Sequence, residues 1–211
     1  MGEETEAQEN YFAGYAALEQ GDFRRADELA DACLAVSSPN SYWYAGALGL
    51  KCWIANFTNN FADLELTATS LLASDTGLDK PWFEGLVLLN LGLAKKRSGD
   101  TSLAQKLFLQ ASERYAAQHL RPEQPNEWRK VLDYFKTLCR WAATGESAFW
   151  EQFLDQFERS DQDEHGKLLW QLISASQLML RHAKGQEVRQ DAVELLKRGV
   201  SRTFLAVVLT E

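Results

Sequence analysis

Residues Leu88–Ala111 read LLNLGLAKKRSGDTSLAQKLFLQA, and this stretch decides the fold. It divides into two amphipathic helices joined by a Ser-Gly-Asp turn. In the first half, Leu88, Leu89, Leu91, Leu93 and Ala94 are too apolar for a surface helix. That helix must be covered on more than one side, as in the inner layer of a helical stack. Gly92 lies inside it, where glycine costs about 1 kcal/mol relative to alanine. The expected compensation is a neighbouring helix approaching so closely that a side chain would block it. Lys95, Lys96 and Arg97 fall in the last turn, where positive charge complements the helix dipole. Ser98-Gly99-Asp100 then supplies a C-terminal glycine and a residue suited to N-capping. In the second half Leu103, Ala104, Leu107, Phe108 and Ala111 recur at three- and four-residue steps, which makes one apolar face.

The remainder of the chain repeats this plan less cleanly, and the expectation is an all-helical repeat scaffold. A first hairpin is expected from Glu6 to Ala35, turning at Gly21-Asp22 and ended by Ser37-Ser38-Pro39-Asn40. A second spans about residues 41–74, with Asn59-Asn60 in place of Gly-Asp. Pro81 opens the central unit. The segment 120–126 carries Pro122 and Pro125, which forbid a continuous helix. Degenerate hairpins follow at about 127–158, turning at Thr144-Gly145-Glu146, and at about 166–209, divided by Gly185. The end, Phe204 to Leu209, is unusually apolar. Capping the stack is the favoured role for it; insertion elsewhere in the fold and a homodimer contact are the alternatives.

Leu88-x2-Leu91-Gly92-x2-Lys95, Gly99-Asp100, Ala104-x3-Phe108 and Ala111 together resemble a tetratricopeptide repeat, a helix–turn–helix unit of about 34 residues. Gly14, Gly21-Asp22-Phe23, Ala26-x3-Ala30 and Cys33 match at the same internal spacing. The clearest copies thus cover about 10–40 and 85–118. They are divergent: the usual early aromatic is replaced by Asn10 and Leu88, the tyrosine slot by Ala17 and Lys95, and only Pro39 stands near the closing proline position. The resemblance implies a right-handed α-solenoid of about five antiparallel hairpins, one domain over 1–211. It also implies a concave groove lined by the first helix of each hairpin. In that register Tyr11 and Tyr15, Trp53 and Phe57, and Leu89, Leu93, Lys96 and Arg97 turn toward the groove. An aromatic groove ending in basic residues suits a partly hydrophobic peptide with an acidic group. The lysines and asparagines that clamp a chaperone's acidic tail in some members are replaced by Tyr11, Tyr15 and Leu50, so that specialised role is not implied.

Charge and composition narrow the function classes. The net charge of −8 argues against nucleic acid as the main partner, because phosphate binding needs a basic face. No run of about 18 apolar residues predicts a membrane span, and the acidic start MGEETEAQEN does not read as a secretion signal. Glu6 occupies the position where myristoylation requires Ser or Thr. Cys33, Cys52 and Cys139 lie far apart within helical patterns and read as buried free thiols, which fits a cytoplasmic location.

The candidate chemistry is thin. Asp161-x-Asp163-x-His165-Gly166 imitates the start of a calcium loop, but Leu172 stands where the bidentate glutamate belongs. A solvated acidic loop explains it better. His119, His165 and His182 are scattered, and no zinc, nucleophile-elbow or phosphate-loop motif appears. No cofactor, metal or catalytic residue is therefore expected. The reading is a non-catalytic adaptor or co-chaperone-like module with a protein or peptide partner. The alternatives are an acidic inhibitor, immunity protein or secretion chaperone dedicated to one basic partner, and an enzyme whose site is assembled from unlinked residues.

Overall fold

The computed structural model describes residues 2–75, 77–121, 123–158 and 167–210. It is all-helical, 82% helix, with no strand among the described residues. The helices are α1 (Gly2–Gln20), α2 (Phe23–Val36), α3 (Tyr42–Phe57), α4 (Phe61–Ala73), α5 (Lys80–Arg97), α6 (Thr101–His119), α7 (Asn126–Thr144), α8 (Ala148–Glu158), α9 (Lys167–Ala183), α10 (Arg189–Lys197) and α11 (Ala206–Thr210), with a 3₁₀ turn at Gly77–Asp79. From α1 to α9 each helix packs on the next, and α1 with α3, α3 with α5 and α7 with α9 also touch. The calcium-like stretch Asp161–Gly166 lies outside the described residues.

The turns form for the reasons their residues suggest. Gly21 and Gly99 take φ of +82° and +85°, the left-handed region where glycine has no Cβ penalty. Asn59 reaches φ +59° at the equivalent place, which asparagine tolerates better than most residues. The next residue caps the following helix each time. Asp22 accepts from the Arg25 N–H at 3.0 Å, Asn60 from Asp63 at 3.4 Å and Asp100 from Leu103 at 3.1 Å.

The interior glycines mark close approach. A Cβ on Gly92 would lie 2.6 Å from the Phe108 ring, and one on Gly14 would lie 2.7 Å from Leu50 and 3.3 Å from Leu29. Phe108 therefore fills the space that Gly92 vacates, and the lost helix propensity is offset by buried contact. Cys33, Cys52 and Cys139 are free and buried. Trp141 and Trp150 are buried, whereas Trp82 and Trp170 are only partly so.

The C-terminal region departs from expectation. Instead of one second helix from about Gln186 to Leu209, α10 stops at Lys197, Gly199 turns at φ +89°, and a turn segment leads into the short α11. Phe204 to Val208 are buried, and α11 packs on α3. The segment thus packs against α1, α3 and α7 rather than continuing α10 at the end of the helical series. Its apolar residues are covered by the chain itself, so they are not the exposed surface that a homodimer contact requires.

Candidate partner-binding groove

One side of the helical assembly carries an open cavity of about 770 Å³. Its walls come from helices far apart in sequence. Tyr11, Phe12, Tyr15 and Glu19 are contributed by α1, Tyr42, Trp43, Gly46, Gly49 and Trp53 by α3, and Trp82, Phe83 and Leu86 by α5. Trp128, Val131 and Phe135 on α7, Tyr115 on α6, and Leu168 and Gln171 on α9 complete it, together with Val200, Ser201, Thr203 and Phe204. The aromatics brace one another: Tyr11 lies 5.7 Å from Trp43, and Trp82 lies 4.9 Å from Trp128 and 5.7 Å from Phe135, centroid to centroid. Phe12 and Tyr42, both on the lining, remain 55% and 41% exposed.

The segment before α11 forms one wall and is held by polar contacts to α1. The Arg202 backbone N–H donates to Glu19 at 2.5 Å, and the Ser201 hydroxyl donates to the same carboxylate at 2.8 Å. The Tyr15 hydroxyl lies 3.2 Å from that of Thr203. Burial, and then the nearby Glu19 carboxylate, push the Tyr15 phenol up to about 12, although Ser201 and Thr203 pull the other way. The Arg202 guanidinium lies 5.7 Å from the Phe23 ring and 5.9 Å from that of Phe57. On the α7 side the Tyr134 hydroxyl donates to the Phe204 carbonyl at 2.5 Å.

Of the residues the sequence singled out, Tyr11, Tyr15 and Trp53 are brought together on the lining. The other five stand elsewhere. Phe57 stacks on Phe23 at 5.7 Å and is faced by Arg202, so the chain already uses its outer surface. Leu89 and Leu93 are 0% and 3% exposed and belong to the core. Lys96 is exposed, with its ammonium 5.9 Å from the Trp141 ring. Arg97 turns back to Asn56, which is itself bonded to Asn90, and faces Phe61 at 5.1 Å. The groove therefore does not end in basic residues, and the expectation of an acidic group on the ligand loses its footing. The charged lining residues are Glu19 and Lys167.

Sequence reading missed Gly46, Gly49, Tyr115 and the polar contacts of Ser201–Thr203. The glycines carried a signal: they precede Asn59 by the same intervals at which Leu86 and Leu89 precede Gly99. Where α5 carries leucines at these two positions, α3 carries glycines, and the Tyr11 ring packs against the first of them.

Catalytic groupings are sparse elsewhere. His119 Nδ1 lies 3.4 Å from Asp133, but that carboxylate also pairs with Lys136, and neither His119 nor Asp133 borders the cavity. Among the described residues no group of His, Cys, Asp and Glu could hold a metal ion, and no helix is long and apolar enough to cross a membrane. No protein-family model, curated protein or solved structure matches the chain.

Proposed function

We propose that the chain is a tetratricopeptide-like scaffold, a right-handed α-solenoid of about five antiparallel hairpins forming one domain. In this reading it acts as an adaptor that engages a protein or peptide partner through its concave groove. The repeat reading is supported by the shared spacing of Gly14 with Gly21-Asp22 and of Gly92 with Gly99-Asp100, and by the packing of α1, α3 and α5 against one another. The observation that carries the functional reading is the cavity. Alternate helices converge on a space of about 770 Å³ with braced aromatic walls, and its mouth leaves Phe12 and Tyr42 in solvent. Rigid aromatic surface held open at a concavity is the material from which binding hot spots are made.

The experiment is affinity capture from lysate of the source cells, comparing wild type with a Phe12→Ala/Tyr42→Ala variant. Both side chains are exposed, so the variant should keep wild-type circular dichroism and melting temperature. A partner bound by wild type and lost by the folded variant supports the groove. A partner bound equally by both places recognition on another surface and refutes the reading.

A further inference from the structure

We propose that the outward face of α1 docks a basic amphipathic helix carried by the partner protein. The inference rests on the partner-binding reading above and adds the partner's charge and shape.

The charge of the chain is unevenly placed. Residues 1–40 hold nine acidic and two basic residues, so −7 of the net −8 belongs to the first hairpin and the turn after it. Several of those acids are already engaged. Asp22 caps α2, Asp27 and Asp31 pair with Lys51, Glu28 pairs with Arg24 and Arg25, and Glu19 holds the C-terminal segment. Glu3, Glu4, Glu6 and Glu9 remain, exposed and without an ion pair among the described residues. The helix dipole accounts for Glu3 and Glu4, which lie in the first turn. Glu6 and Glu9 lie beyond it, and α1 contains no lysine or arginine to balance them.

These two acids border an apolar strip. Glu6, Glu9, Phe12, Ala13 and Ala16 follow at three- and four-residue steps, so they share one side of α1, and all five are exposed. The outer face of a terminal repeat needs polar residues when solvent is its only neighbour. Phe12 is also held in place: its ring meets those of Trp43 and Tyr11 edge-on, at 5.7 and 5.5 Å between centroids. A braced aromatic makes an anchor, and the short side chains of Ala13 and Ala16 let a second helix come close. An apolar centre with a charged border is the anatomy of a protein interface.

The sign and form of the occupant follow. Nucleic acid and anionic membrane surfaces are repelled by this face. A second copy of the chain fits poorly, because a two-fold contact would set α1 against α1 and give Glu6 and Glu9 no cation. A helix suits the face better than a strand, since the described residues offer no sheet edge for a strand to join. The partner helix therefore lays apolar side chains on Phe12, Ala13 and Ala16 and sets lysine or arginine opposite Glu6 and Glu9.

The test selects phage-displayed peptides, as long as α1, on the intact chain. All share one amphipathic template, with leucine on one face and lysine, glutamate or glutamine drawn at random on the other. Wild type should enrich lysine, and the Glu6→Lys/Glu9→Lys protein should enrich glutamate. Both positions are exposed, so that variant should keep wild-type circular dichroism. By fluorescence polarisation, an enriched lysine peptide should bind Glu6→Lys/Glu9→Lys about tenfold more weakly or worse, and Phe12→Ala about fivefold more weakly. Glu113→Lys/Glu127→Lys changes the net charge equally at exposed acids on α6 and α7, and should leave affinity within about twofold. Equal losses in the two double variants would trace binding to overall charge and overturn the proposal. Absence of a lysine preference, or binding indifferent to Phe12→Ala, overturns it as well. A wild-type dimer in sedimentation velocity that Phe12→Ala dissociates overturns it in favour of a second copy. A lysate partner lost by Phe12→Ala/Tyr42→Ala but kept by Glu6→Lys/Glu9→Lys refutes this inference alone and leaves the groove reading standing.

Discussion

Replacing Phe204 by alanine asks whether the C-terminal segment is part of the core or an appendage laid over it. Phe204 is 6% exposed, its ring lies 5.0 Å from that of Tyr134 and 5.7 Å from that of Phe135, and its neighbours Leu205 to Val208 are buried as well. Deleting a buried phenyl ring removes its transfer energy and leaves a void, together about 3–5 kcal/mol in protein cores. Two features favour the lower end. The Tyr134 hydroxyl bonds the Phe204 backbone carbonyl and survives the substitution, and Phe204 borders the open cavity, so water can enter the space. The expected loss is about 3 kcal/mol. Urea unfolding followed by tryptophan fluorescence and circular dichroism measures it, with the two probes coincident and the slope unchanged if the segment unfolds with the rest. A loss under about 1 kcal/mol, the range of exposed positions, would refute the placement. The groove would then extend under a detachable tail, toward Phe57.

Gly92→Ala should destabilise by about 1–2 kcal/mol, because overlap with Phe108 at 2.6 Å outweighs the gain of about 1 kcal/mol in helix propensity. Phe108→Leu in the same chain should recover part of that loss; a Gly92→Ala protein as stable as wild type in urea would show the helices farther apart than described. The three thiols should resist Ellman's reagent in the native protein and react together on unfolding, since all three are buried. Burial pushes all three thiols up, that of Cys52 to about 12. The fold therefore favours the neutral thiols. That stability is fully present below the unfolded value near 8.5 and is lost as pH rises from there toward each thiol's folded value, by at most about 1.4 kcal/mol per thiol per pH unit and least for Cys33, the least shifted. Burial pushes Tyr15 up to about 12 as well, and Tyr11, Tyr115 and Tyr134 also rise, which adds the same sign above about pH 10. A melting temperature that holds steady from pH 7 to pH 10.5 would contradict both burial assignments.

What the sequence made legible was local. Gly21-Asp22, Asn59-Asn60 and Gly99-Asp100 announce turns because left-handed backbone and a side-chain cap are properties of two adjacent residues. Gly14 and Gly92 announce close helix packing for a similarly local reason: a glycine that weakens its helix needs a neighbour to offset it. Side chains long enough to choose among neighbours were not legible. Helical register placed Lys96 and Arg97 on the groove side, yet one faces Trp141 and the other turns to Asn56. Nor was the destination of Phe204–Leu209. Their apolarity demands burial, but the hydrophobic effect is non-directional and names no partner. The direction comes from polar groups that no periodicity reveals, Glu19 and Tyr15 on α1 reaching Ser201, Arg202 and Thr203 at the other end of the chain.

That long-range contact changes what the groove can be. An open, basic-ended channel running past Tyr11, Trp53, Phe57 and Leu93 would accept a long peptide and anchor its acidic end. With Val200–Phe204 seated along one side and Arg202 facing Phe57, the space left open is a shorter, neutral, aromatic pocket whose polar components include Tyr15, Tyr115, Ser201 and Thr203. In the proposed reading, affinity in such a site comes from inserting one or two bulky side chains against rigid rings. On the same reading the C-terminal segment thereby limits the length of the ligand, because Val200, Ser201, Thr203 and Phe204 supply one wall of the cavity.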